Sequence, residues 1–260
     1  MSIKSILRKI SLIIFSLIFS ISLSFLLITH GLLELTEYNT LQPIMIDIFS
    51  SALTLNQNET EMQMSYNLLL QQCENPQTSK IEIPLETKEN PVGISSVILD
   101  CNEIKNTSNY NDVVNLILKN IFDKFYYKEY TGDFLSNWRK SSSEENKAWL
   151  LFSNYFHNYL KQNLKYILIL TITTAVIIIL LSGILNGIKK IGISCIFIGI
   201  PFLFVGLIKK IIMLKLPQEA SFTSSFIDKI LDIFRDRFLI AFALGIILIT
   251  IYVIVKKIKK

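Results

Sequence analysis

The side chains best able to do chemistry are scarce in this chain: two histidines and three cysteines in 260 residues. His30 and His157 stand far apart and lack the paired spacing that a zinc site requires. The sequence holds no H-E-x-x-H, no G-x-S-x-G, no phosphate-cradling Walker loop and no dinucleotide fingerprint. No acid, base and nucleophile converge, so the reading is a non-enzymatic chain with no catalytic residue, no cofactor and no bound metal. The cysteines point elsewhere. Cys195 sits in an apolar run as a small packing residue. Cys73 and Cys101 share a long polar segment that the charge pattern puts on the oxidising side of a membrane. A Cys73–Cys101 disulfide is expected, and on the chain-entropy account it stabilises the fold by roughly 3–4 kcal/mol.

The elements that must position these residues are those of a membrane protein. Hydrophobic residues make up 51% of the chain and charged ones only 18%, with a mean hydropathy of +0.45, which excludes a soluble globule of this size. The apolar residues gather at 10–33, 165–187, 191–208 and 238–255. Each stretch is long enough, at about 1.5 Å per residue, to cross a hydrocarbon core of roughly 30 Å. The expected fold is an all-α polytopic membrane protein: four transmembrane helices, with a mainly helical extracytoplasmic domain between helices 1 and 2 that carries a small β-hairpin and one disulfide.

Charge orients this fold. Lys4, Arg8 and Lys9 precede the first span, Lys189 and Lys190 lie between the second and third, and Lys256, Lys257, Lys259 and Lys260 end the chain. All 21 acidic residues fall between Glu34 and Glu145 or between Glu219 and Asp236. Under the positive-inside rule both termini are cytoplasmic in a multi-pass protein of the cell membrane. Residues 1–9 and 256–260 are then cytoplasmic tails, 188–190 a cytoplasmic turn, 34–164 the extracytoplasmic domain and 209–237 an external loop. Lys209 and Lys210 are read as snorkelling at the outer interface. The lysines are topology signals against an anionic leaflet and not a nucleic-acid surface. The first apolar stretch exceeds the usual signal-peptide core and lacks a small-residue cleavage site, so it is read as a retained anchor.

Within 34–164, Ile44, Ile48, Phe49 and Ala52 pattern a short amphipathic helix. Asn58 with Glu61 reads as a capping box before a helix that ends near Cys73. Alternation at Ile81, Ile83 and Leu85, then a turn at Asn90-Pro91-Val92-Gly93 and an apolar run at 95–101, predict a hairpin. Val113, Ile117, Ile121 and Phe125 make a second helical face, and 130–136 reads as a loop broken by Gly132. Ser142 with Glu145 caps a helix bearing Trp149, Phe152, Phe156 and Tyr159. Without Gly or Pro before Ser182, that helix is expected to run unbroken into the second span. Ser224 or Ser225 caps an amphipathic helix leading into the fourth span. Asn58 and Asn106 head N-x-S/T sequons and are candidate glycosylation sites.

The spans contain no central Asp, Glu, Lys or Arg, which argues against the carboxylate relays of pumps. They carry small residues instead. Gly183 and Gly187, the seven-residue series Gly192, Gly199 and Gly206, and the pair Ala241 and Gly245 are the candidate helix-packing positions. Pro201 is expected to kink the third span and free the carbonyl of Phe197. The functional reading is a structural, adhesion or accessory protein of the cell envelope or surface. Its partners are membrane lipid, a protein bound by the external domain, and a second copy of the chain where the small-residue stripes self-associate. The alternative is a subunit of an oligomeric channel or transporter.

Overall fold

The computed structural model describes residues 3–54, 59–75, 77–84, 96–141, 144–215 and 221–259. In chain order the elements are α1 (Ile3–Leu35), α2 (Tyr38–Thr54), α3 (Glu59–Glu74), β1 (Lys80–Pro84), β2 (Ser96–Asp100), α4 (Cys101–Lys105), α5 (Tyr110–Tyr126), α6 (Phe134–Lys140), α7 (Glu144–Leu151), α8 (Asn154–Ser182), α9 (Ile184–Leu203), α10 (Val205–Lys215) and α11 (Ser221–Ile258). They form two compact units, one of Met1–Leu35 with Leu160–Lys260, the other of Thr36–Tyr159.

The first unit is a helical bundle. Four stretches of helix, Ile3–Leu35, Asn154–Ser182, Ile184–Ile211 and Ile227–Ile258, are long and apolar enough to cross a membrane, and they mark a multi-pass membrane protein. Only 17% to 24% of the most apolar window of each is buried. Ile13, Leu17, Ile21 and Phe25 of α1 and Ile169 and Ile172 of α8 stand exposed, an arrangement that water penalises and a bilayer accepts. The polar groups of the spans satisfy themselves locally, since Thr171 Oγ1 donates to the Ile167 carbonyl (2.8 Å) and Thr174 Oγ1 to that of Leu170 (2.9 Å). Phe19, Ile178 and Cys195 form a buried centre that ties α1, α8 and α9 together.

Several element boundaries differ from the sequence reading. The chain turns between α8 and α9 at Gly183, not at 188–190, so Lys189 and Lys190 lie within α9. A single residue makes this turn, at φ +79° and ψ 154°, a region open to glycine and closed to side chains with a Cβ. Pro201 stands in the last turn of α9, and the helix stops at Leu203 before resuming at Val205. A proline near a helix end removes one amide donor and favours termination close by. Residues 209–215, expected as loop, are helical in α10, and the amphipathic helix expected to start at Ser224 or Ser225 is the first part of α11, which begins at Ser221. Lys209 explains part of this: it ion-pairs with Asp228 (3.0 Å) and Asp232 (3.8 Å) on α11 and so is partnered at the helix surface. Asp228 and Asp232 are one turn apart on that helix, so one cation reaches both.

The second unit packs around two apolar centres. One joins Tyr66, Cys73, Ile81, Val97, Leu99, Cys101, Ile104 and Val113. Here β1 and β2 pair antiparallel, with Ile81 opposite Leu99 and Ile83 opposite Val97, so these four residues share the inner face while Ile98 opposite Glu82 faces outward. The other centre is aromatic: Phe122, Phe125 and Tyr126 of α5 pack with Leu41 and Met45 of α2, flanked by Tyr38, Phe49 and Trp149. Pro43 is the sixth residue of α2, just past the first turn, and withholds the amide that would bond the Asn39 carbonyl.

Two further corrections fall in this unit. The helix expected to run unbroken from Glu144 stops at Leu151 and restarts at Asn154. Ser153, fully buried, makes the break: its Oγ donates to the Leu150 carbonyl (2.7 Å) and accepts from the Phe156 amide (3.3 Å), closing one helix and opening the next. Neither Gly nor Pro was needed, because a serine oxygen can do both tasks. Within the expected loop at 130–136, Gly132 takes φ +92° and Asp133 then caps α6, accepting from the Ser136 amide (3.3 Å). The capping pairs Asn58 with Glu61 and Ser142 with Glu145, and the turn at Asn90–Gly93, lie outside the described residues.

Candidate functional site

In the unit Thr36–Tyr159 the disulfide is the central covalent element. Cys73 is the next-to-last residue of α3 and Cys101 the first of α4, directly after β2, and their Cα atoms are 5.2 Å apart. That separation lies within the range a disulfide spans. Asp100 caps α4 by accepting from the Asn102 amide (2.8 Å), which fixes the strand-to-helix corner where Cys101 stands. Tyr66, on the same helix as Cys73, donates its hydroxyl to the Thr107 carbonyl (2.7 Å). The hairpin, α3 and α4 are therefore joined at three points around the bridge.

A polar network borders the aromatic centre. Tyr38 donates to Asp123 Oδ1 (2.5 Å), and Gln42 Nε2 donates both to the Tyr38 hydroxyl and to Asp123 Oδ1 (3.3 Å). Burial, and then the carboxylate of Asp123 that its hydroxyl bonds, push Tyr38 up to about 12. Tyr126 donates to the Thr36 carbonyl (2.8 Å) and is also pushed up to about 12, chiefly by burial and then by the neighbouring Tyr127 and Glu37. Thr36 Oγ1 shares a further hydrogen bond with His157 Nδ1 (3.2 Å). His157 is thus a structural partner of a buried threonine. His30 lies exposed on α1, in the other unit. No group of three or more His, Cys, Asp or Glu suited to a metal ion occurs among the described residues.

Two large apolar side chains of α3 remain uncovered one turn apart: Met64 is 68% and Leu68 53% exposed. Asn106, at the end of α4, is exposed and open to modification, whereas Asn58 lies outside the described residues.

In the helical bundle the small residues do different things. A Cβ on Gly199 would stand 2.5 Å from Phe242 Cβ and 2.8 Å from the Phe238 carbonyl oxygen. On Gly245 it would stand 2.7 Å from Ile196 and 2.8 Å from the Gly192 carbonyl, and on Gly192 3.1 Å from the Gly245 carbonyl. Together with buried Ala241, these three glycines form the antiparallel seam of α9 and α11. Gly187 closes the α8–α9 hairpin, since a Cβ there would meet Ile179 Cα at 2.7 Å. Gly183 and Gly206 face open space. Gly31, which the sequence reading passed over, packs against the Phe234 ring, where a Cβ would stand 2.8 Å away. One glycine in an apolar run carries no periodic signal, so nothing marked it.

At one end of the bundle the α1 cations Arg8 and Lys9 come together with Lys189 and Lys190 of α9 around a groove. The sequence separates these pairs by most of the chain. α8 runs opposite to both α1 and α9, so the chain returns the start of α9 to the start of α1. At the other end three cations are paired: Lys209 with Asp228 and Asp232, Arg235 with Asp232 and Asp236, and Arg237 with Glu34.

No protein-family model, curated protein or solved structure matches this chain.

Proposed function

We propose that the chain is a non-enzymatic membrane protein of the cell envelope or surface whose Thr36–Tyr159 unit lies on the extracytoplasmic side and binds a partner protein. The observation that carries this reading is the disulfide between Cys73 and Cys101 in that unit, because such bridges persist in oxidising compartments. The charge distribution agrees with it. Lysine and arginine without acidic neighbours gather at the chain ends and at α9, and a cytoplasmic face retains such residues. Both termini are then cytoplasmic. Met64 and Leu68 of α3 give that unit an apolar surface for a partner.

The alternative, a subunit of an oligomeric channel or transporter, draws less support. The threonines that would line a path in α8 bond to carbonyls of their own helix, and the glycine faces of α9 and α11 are closed against each other.

The test is isolation of detergent-extracted complexes through a tag at the C-terminus. The proposal expects a distinct protein in fixed ratio, lost when Met64→Glu and Leu68→Glu are combined. A homo-oligomer with no second protein would favour the channel reading.

A further inference from the structure

The groove at the cationic end of the bundle has a volume of about 580 Å³, and its polar lining consists chiefly of Arg8, Lys9, Ser182, Asn186, Lys189 and Lys190. We propose that it binds an anionic phosphate group, carried by a bilayer phospholipid of net negative charge.

Four cations in one groove repel one another unless an anion joins them. Among the described residues, none of the four forms an ion pair with a carboxylate, whereas Lys209, Arg235 and Arg237 at the opposite end all do. Lys189 lies over the Tyr252 ring, 5.4 Å from its centroid, but no carboxylate among the described residues offsets the charge of the groove. Helix geometry adds to the charge. α9 starts at Gly183 with no side-chain cap, and Asn186 in its first turn lines the groove. Its opening amides lack helical partners and carry the positive end of the helix dipole, a combination suited to phosphate oxygens. The opposing dipole of α8 is answered within the fold, since Arg8 Nε donates to the Leu181 carbonyl. That bond also holds the guanidinium at the groove and leaves its other N–H groups to meet an anion.

The source of the phosphate follows from what surrounds the groove. Leu12 and Ile193 line it, and nearby Ile13, Leu180 and Ile184 are 70%, 75% and 71% exposed. A headgroup held by the cations would have its acyl chains beside these apolar side chains. Basic pockets between membrane helices are suited to such headgroups. The inference rests on the four helices spanning a bilayer. It is independent of which face is cytoplasmic and of any protein bound to the Thr36–Tyr159 unit, so it can fail without that reading failing.

The experiment measures thermal stabilisation of the purified full-length chain in neutral detergent, titrated with phosphatidylglycerol, phosphatidylcholine or inorganic phosphate. Each variant is compared with its own lipid-free state, so a loss of basal stability does not mask the result. Saturable stabilisation by phosphatidylglycerol and none by phosphatidylcholine is expected. Lys190→Gln and Arg8→Gln should each raise the half-saturating concentration roughly fivefold, and Lys259→Gln, outside the groove, should leave it unchanged. Equal stabilisation by inorganic phosphate, with the same dependence on Lys190 and Arg8, would support the phosphate site and overturn its lipid source. Equal response to both lipids, or an equal loss in Lys259→Gln, would overturn the site.

Discussion

Gly199 of α9 and Phe242 of α11 approach so closely that a Cβ added to the glycine would stand 2.5 Å from the phenylalanine Cβ and 3.0 Å from its Cα. Backbone and Cβ atoms cannot swing aside as a side-chain tip can, so this separation sets the spacing of the two helices. Gly199→Leu is expected to cost about 1–3 kcal/mol through overpacking, read as lost yield of monodisperse protein in detergent. Gly206→Leu is the matched control, since nothing lies within 4 Å of its Cβ position. Normal assembly of Gly199→Leu would show that α9 and α11 are not held at this seam.

Gly183 and Gly206 both face open space, yet they should respond differently to alanine. Gly183 takes φ +79° at the single-residue turn, whereas Gly206 lies in helix α10. Gly183→Ala is expected to cost about 1–3 kcal/mol from backbone strain alone. Gly206→Ala should be neutral or slightly stabilising, because alanine is the better helix former. Equal thermal midpoints for the two variants would contradict the turn geometry.

Cys73→Ala and Cys101→Ala should each lower stability of the inserted unit by roughly 3–4 kcal/mol, and the double variant should resemble either single one, because all three remove the same bridge. Peptide mapping without reductant checks the premise. Recovery of both cysteines alkylated before reduction would contradict it.

Alkaline pH should loosen the unit Thr36–Tyr159. Tyr38 and Tyr126 keep their protons up to about 12 when folded but lose them near 10.0 when unfolded. For a group whose folded pKa is raised, the contribution is intact below the unfolded value and is lost as pH climbs toward the folded one. Near-UV circular dichroism of the full chain should therefore fall between about pH 10 and pH 12, together with the rise of tyrosinate absorbance. Tyr38→Phe should weaken this dependence. Titration of every tyrosine at the ordinary value, with tertiary signal intact, would refute the buried network.

Much of this architecture could be read from the residues. The span positions followed from runs of apolar residues, and the hairpin from alternation at Ile81 and Ile83. What escaped was governed by local hydrogen bonding or by tertiary proximity. The reading of 144–182 as one helix relied on the absence of Gly and Pro, but buried Ser153 broke it with its hydroxyl. Charge marks membrane faces, so the sequence places the α8–α9 turn beside Lys189 and Lys190. The geometry instead used Gly183, whose φ no charge pattern announces. The groove was invisible because Arg8 and Lys190 are neighbours only after the helices pack. Their shared sign and the even number of intervening spans were the available signal.

The side of the membrane on which each end of the bundle lies is the central claim, and thiol labelling in intact cells tests it most directly. Asn111→Cys, in α5 of the inserted unit, and Lys259→Cys, at the end of α11, are compared with the parent chain using a membrane-impermeant maleimide. The account predicts labelling above the parent at Asn111→Cys in intact cells, and at Lys259→Cys only after the membrane is opened. Labelling of Lys259→Cys in intact cells, with Asn111→Cys protected until lysis, would contradict it.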